Sequence, residues 1–147
     1  MVGTELKPES MKKTVVSLIA VALIVLSGCN KDDESERFKF LTGTVWVTDL
    51  LLANGVDASG PGQMLEDFKG EARFNKDGTG EFGTYTGEWR FAYNETQIII
   101  ETTDLPLPLS TMIEELTASS LKITTSVPNP LNPQESVPLR MTFTAKQ

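Results

Sequence analysis

Histidine is absent from all 147 residues, and cysteine occurs once, at Cys29. The first absence removes the commonest general base and the commonest zinc ligand. The second excludes any disulfide within the chain and any thiolate metal cluster, so stability must come from packing. With neither a histidine nor a second cysteine, no conventional nucleophile and base arrangement is available. No catalytic residue, no cofactor and no metal site is expected, and the chain reads as a non-enzyme. Basic residues are scarce as well. From Asn30 onward, 10 Lys and Arg stand against 18 Asp and Glu, a net charge of −8. That balance disfavours a nucleic-acid surface, because phosphate binding needs clustered cations. It offers no attraction to anionic lipid either, so membrane attachment would require a covalent anchor.

Long apolar runs are equally rare. The single one, Thr14 to Leu26, follows Lys12 and Lys13 and precedes Ser27, Gly28 and Cys29. A basic start, a short apolar stretch and small residues before a cleavage point make a secretory leader. Spanning a bilayer would take about 20 residues, more than this run provides. Residues Leu26, Ser27, Gly28 and Cys29 closely resemble the lipobox of bacterial lipoproteins. That resemblance implies cleavage before Cys29, a diacylglyceryl thioether on its sulfur and a further acyl chain, such as palmitate, on its new amino group. At about 0.8 kcal/mol per buried CH₂, two or three such chains anchor a protein effectively permanently. The segment before Met11 carries Glu5, Pro8 and Glu9, unlike the start of a leader, so Met11 is the expected start.

Residues Asn30 to Arg37 are polar and charged and read as a flexible tether. Within it, Lys31, Asp32, Asp33 and Glu34 resemble the lipoprotein export signal of Bacteroidetes. The implied location is the outer membrane, with the cell surface and the periplasmic face both open. The expected organisation is therefore a signal peptide over 1–28, a lipidated cysteine and acidic tether over 29–37, and one domain over 38–147.

Period-two alternation dominates that domain. Phe68, Gly70, Ala72 and Phe74 alternate with Lys69, Glu71 and Arg73, and Asp77 with Gly78 supplies a hairpin turn. Gly80 and Phe82 continue beyond it, then Gly87, Trp89, Phe91 and Tyr93 share one face. Asn94 and Glu95 turn the chain into the isoleucine-rich strand Gln97 to Thr102. A proline-containing loop, Asp104 to Leu109, leads to a hairpin of Met112 to Thr117 and Leu121 to Val127. The four-proline segment Pro128 to Pro138 reads as a long loop, and Val137 to Ala145 as a last strand. With Thr44 to Ala53 this makes about eight strands, and only Pro61 to Phe68 looks helical. An all-β antiparallel barrel is expected, since closure removes exposed edges; a two-sheet β-sandwich is the alternative.

Leu41, Thr42, Gly43 and Trp46, then Phe74, Asp77, Gly78 and Thr79, then Gly87 and Trp89, then Ile113, Leu116, Thr117 and Leu121 resemble the lipocalin-like domains of Bacteroidetes lipoproteins. The resemblance covers most of 38–147 and implies a barrel, with a small-ligand cavity by analogy to lipocalins. Gly43 and Trp46 are separated by two residues rather than the single residue of true lipocalins, which leaves open whether Trp46 closes the barrel floor.

The strand phases place Trp46, Phe74, Phe82, Trp89, Phe91 and Phe143 in one interior. An eight-stranded barrel can just enclose a small molecule, so these side chains either line a pocket or form a filled core. Expected partners are the membrane, through Cys29, and a small apolar ligand or an envelope protein; a cavity would open near the loops Asn54 to Gln63 and Pro128 to Pro138. Asn75, Asp77, Gly78 and Thr79 look superficially like a calcium loop, but Arg73 replaces its first ligand, and a plain turn results. Glu114 and Glu115, adjacent on a strand, are expected on opposite faces and make a poor acid and base pair.

Overall fold

The computed structural model describes Gly3 and residues 33–147. Apart from Gly3, the expected leader, together with Cys29 and the start of the expected tether, therefore lies outside the described residues. The folded unit, Glu34–Gln147, contains a helix, α1 (Glu36–Thr42), followed by nine strands. These are β1 (Val45–Ala53), β2 (Val56–Asp57), β3 (Glu71–Phe74), β4 (Thr79–Phe82), β5 (Tyr85–Ala92), β6 (Gln97–Thr102), β7 (Leu109–Leu116), β8 (Ser120–Pro128) and β9 (Ser136–Ala145). Every paired neighbour is antiparallel. Strands β1 and β3 to β9 follow one another around a single sheet that closes where β1 meets β9, from Trp46 opposite Ala145 to Ala53 opposite Leu139. This is an eight-stranded up-and-down barrel of lipocalin-like architecture. The sandwich alternative falls, because one sheet closes on itself instead of splitting into two. Strand β2 is a two-residue addition on the far half of β1.

The alternation seen in the sequence carries through most strands. Ala72 and Phe74 point in while Glu71 and Arg73 point out, and β4 repeats the pattern with Gly80 and Phe82 inside. β1 departs from simple alternation. Its register slips between Thr48 and Leu50, so the inward set changes from Trp46 to Leu51. A bulge of this kind bends the strand and leaves a backbone group unpaired. Thr142, on the outer face of β9 but 9% exposed, accepts a hydrogen bond from the Leu50 N–H at 3.1 Å.

Four local expectations are corrected. The strand expected to carry Phe68 and Gly70 begins only at Glu71: Phe68 ends a 3-10 turn and Gly70 is exposed at φ +117°. The helix over Pro61 to Phe68 is only a 3-10 turn at Glu66–Phe68. Pro61 and Gly62, the latter at φ +75°, break the segment ahead of it. Tyr93 does not continue the inward face of β5: it enters a left-handed turn at φ 50° and is 76% exposed. Glu114 and Glu115 do not face opposite sides, because a second register slip, between Ile113 and Glu115, turns both outward. There they pair with Arg140 and Lys122, each at 3.1 Å.

Helix α1 is the element the sequence concealed, and it takes in Glu36 and Arg37 from the expected tether. Ser35 caps it by accepting from the Phe38 N–H at 3.0 Å. Its Leu41 is fully buried, and the Phe38 ring lies 5.8 Å from that of Trp89. The same segment holds down the β5–β6 turn, where Tyr93, Asn94 and Glu95 all have positive φ. Ser35 donates to the Glu95 carboxylate at 2.7 Å, and the Arg37 Nε donates to the Glu95 carbonyl at 3.0 Å. Three successive left-handed residues without glycine are costly, and such a turn persists only when its surroundings hold it.

The connectivity gives the barrel two different ends. At the α1 end lie the short turns β3–β4, β5–β6 and β7–β8. The other end carries the β1–β3 connection with its 3-10 turn, the tight β4–β5 turn, and the proline-containing loops 103–108 and 129–135.

Candidate functional site

Of the sequence-predicted residues, Cys29 lies outside the described residues. Trp46, Phe74, Phe82, Trp89 and Phe143 are buried inside the barrel, and Phe91 is half-buried against them. Phe74 is central to this group. Its ring meets Phe82 at 5.2 Å and Trp89 at 5.5 Å, and Trp89 meets Phe91 at 5.4 Å, all edge-on. Such contacts add to burial because the positive edge of one ring meets the negative face of another. Both indoles are satisfied: Trp46 donates to the Leu41 carbonyl at 3.0 Å and Trp89 to the Asn75 carbonyl at 2.9 Å. Trp46 thus closes the floor at the α1 end despite its unusual spacing from Gly43. Amid Phe68, Phe74, Phe82, Ile123, Met141 and Phe143 the remaining void is about 10 Å³. One water needs at least that much, so the barrel interior is occupied by its own side chains.

A predominantly apolar space large enough for a ligand lies instead at the end opposite α1. A cleft of about 530 Å³ opens there. Met64, Leu65 and Phe68 form one side, Tyr85 stands at the start of β5, Leu105 to Leu109 form a second side, and Val127, Pro128 and Pro130 a third. Its volume falls within the range usual for small-molecule sites, and its walls are predominantly apolar, as such sites require. Part of this surface is open to solvent: Leu107 is 70% exposed and Met64 41%. Pro128 and Pro130 belong to a loop the sequence placed beside a cavity. From the other nominated loop, Asn54 to Gln63, no residue lines the cleft; the chain reaches it at Met64. The contribution of Leu105 to Leu109 could not be read locally, because a proline-broken apolar run looks the same over a cleft as over solvent.

The polar corner of the cleft is Tyr85. Its ring packs 4.9 Å from Phe68 and its hydroxyl donates to an Asp67 carboxylate oxygen at 3.3 Å. Burial, followed by the negative charges of Asp67 and Asp104, pushes the phenol above its ordinary range. Asp77 hydrogen-bonds within its own turn to the Thr79 hydroxyl and backbone N–H. Among the described residues no group of three or more His, Cys, Asp or Glu is placed to hold a metal ion, and no helix is long and apolar enough to cross a membrane. No protein-family model and no curated protein matches this chain.

Proposed function

We propose that this chain is an envelope lipoprotein, anchored to the outer membrane through acylated Cys29, whose barrel binds a small apolar ligand without catalysis. The ligand site in this reading is the cleft at the open end, since the interior is filled. The observation that supports it most is the position of that apolar cleft: soluble proteins seldom leave such concave apolar surface exposed without use. Surface display and the periplasmic face both remain compatible with the acidic tether. Native mass spectrometry of the full chain, released gently from host envelopes, tests the ligand reading. A small apolar molecule should travel with the protein and leave on unfolding, and Leu107→Ser with Met64→Ser should reduce its occupancy. An apo mass under conditions that preserve the fold would count against it. For the anchor, Cys29→Ser should move the protein from the membrane to the soluble fraction; unchanged membrane retention would refute lipidation at this residue.

A second reading, docking of an envelope protein without a ligand, draws on Leu131. This side chain is 94% exposed in the 129–135 loop, beside the cleft. Cross-linking from that loop should then trap a single envelope protein, and Leu131→Ser should abolish the capture.

A further inference from the structure

The cleft of about 530 Å³ is apolar, but the loops around it are not neutral. The connections at this end, residues 54–70, 83–84, 103–108 and 129–135, contain Asp57, Glu66, Asp67, Asp104 and Glu135 against one cation, Lys69. Lys69 acts on Asp57, and no lysine or arginine lines the cleft. The asymmetry is sharpest at the Tyr85 corner. There Asp67 accepts from the Tyr85 hydroxyl at 3.3 Å, and Asp104 lies close enough for its charge to act on the same phenol. Asp67 and Asp104 are both exposed and neither forms an ion pair among the described residues.

Neither carboxylate lines the cleft itself, and both stand behind the Tyr85 phenol, so a ligand with its apolar body along Phe68, Leu107 and Val127 and its polar end at Tyr85 feels the charge of Asp67 and Asp104. A carboxylate or phosphate headgroup meets like charge and finds no cationic donor, which costs affinity. A protonated amine meets opposite charge instead. From this complementarity we infer that the mouth cleft selects cationic amphiphiles, molecules of the alkylamine class, and discriminates against fatty-acid-like anions. The inference rests on the cleft reading given above and adds the ligand's charge to it.

Three probes of equal chain length separate the two: dodecylamine, dodecanol and dodecanoate, titrated calorimetrically into the full chain at neutral pH and low salt, below micelle-forming concentrations. Dodecylamine should bind about fivefold more tightly than dodecanol, and dodecanoate about fivefold more weakly, the scale of one exposed ionic contact. The spread should shrink in about 0.5 M salt, where screening acts over a few Å. Asp67→Asn combined with Asp104→Asn, both at the surface, should bring the three affinities together while leaving the melting temperature unchanged. Dodecanoate binding as tightly as the amine, or a preference for the amine that survives the double substitution, would overturn the inference and leave the apolar cleft standing. If none of the three probes binds, the cleft reading fails and the inference with it.

Discussion

The indole N–H of Trp46 donates to the carbonyl oxygen of Leu41 at 3.0 Å, and both residues are wholly removed from solvent. Leu41 lies in the last turn of α1, where carbonyls have no partner within the helix. One hydrogen bond thus joins the helix to the first barrel strand and satisfies a buried helix end. Replacing Trp46 with Phe removes the donor, strands that carbonyl and leaves a small void. We expect a loss of about 2–4 kcal/mol, measured by urea unfolding, with α1 loosened first in hydrogen exchange.

Thr142→Val tests the β1 bulge. Valine keeps the shape but cannot accept from the Leu50 N–H, so a cost of about 1–2 kcal/mol is expected. Thr144→Val, two residues on along the same exposed face, should stay within about 0.5 kcal/mol of the parent. Equal effects at both positions would mean that the hydroxyl of Thr142 does not support the bulge.

Gly87 faces the barrel interior, where an added Cβ would press on the backbone carbonyl of Glu101 in β6. Backbone in a paired strand cannot yield cheaply, so Gly87→Ala should cost about 3 kcal/mol. Gly55, at φ +77°, has open space around its Cα. Gly55→Ala should cost only the left-handed penalty, about 1–2 kcal/mol. Thermal melts of the two variants compare the effects directly.

Four surface carboxyls are held below their ordinary values in the folded chain. Hydrogen bonds from Ser59 lower Asp57, the Lys146 ammonium lowers Glu71, the Thr79 hydroxyl and N–H lower Asp77, and Ser120 followed by Lys122 lowers Glu115. On unfolding these groups return to ordinary values of 3.8 for aspartate and 4.5 for glutamate, so in that range the unfolded state binds more protons. Stability is then complete above the ordinary values and declines as pH falls through the lower folded ones. The urea midpoint should be flat from neutrality down to about pH 5 and fall below it. Without histidine, no further inflection is expected between pH 5 and 8.

Tyr85 has the opposite sign at the other end of the scale. In a Tyr93→Phe background it is the only tyrosine, and its absorbance titration should have a midpoint above the ordinary phenol value of 10.0. Stability from this group is intact below that value and is lost as pH rises toward the folded one. Asp67→Asn should move the midpoint down; no movement would place Asp67 outside the electrostatic reach of the cleft.

What alternation could settle in the sequence was an antiparallel all-β fold; the β1–β9 pairing decided for a closed barrel over a sandwich. Strand positions, inward faces and the Asp77–Gly78 hairpin follow from period two and turn chemistry, both of which act over a few residues. The absence of histidine and the single cysteine likewise bounded the chemistry before any fold was known. Tertiary structure decided the rest. The bulges in β1 and β7 belong to the pairing with neighbouring strands and have no local signal to announce them. Helix α1 hides in a charged run because its formation depends on Leu41 and Phe38 meeting Trp46 and Trp89, residues from other strands. Whether six inward aromatics line a pocket or fill it depends on how their volumes sum within a closed sheet, and the edge-on packing around Phe74 leaves about 10 Å³. The cleft at the open end exists only because closure gathers Met64, Tyr85, Leu107 and Pro130, segments far apart along the chain, around one rim.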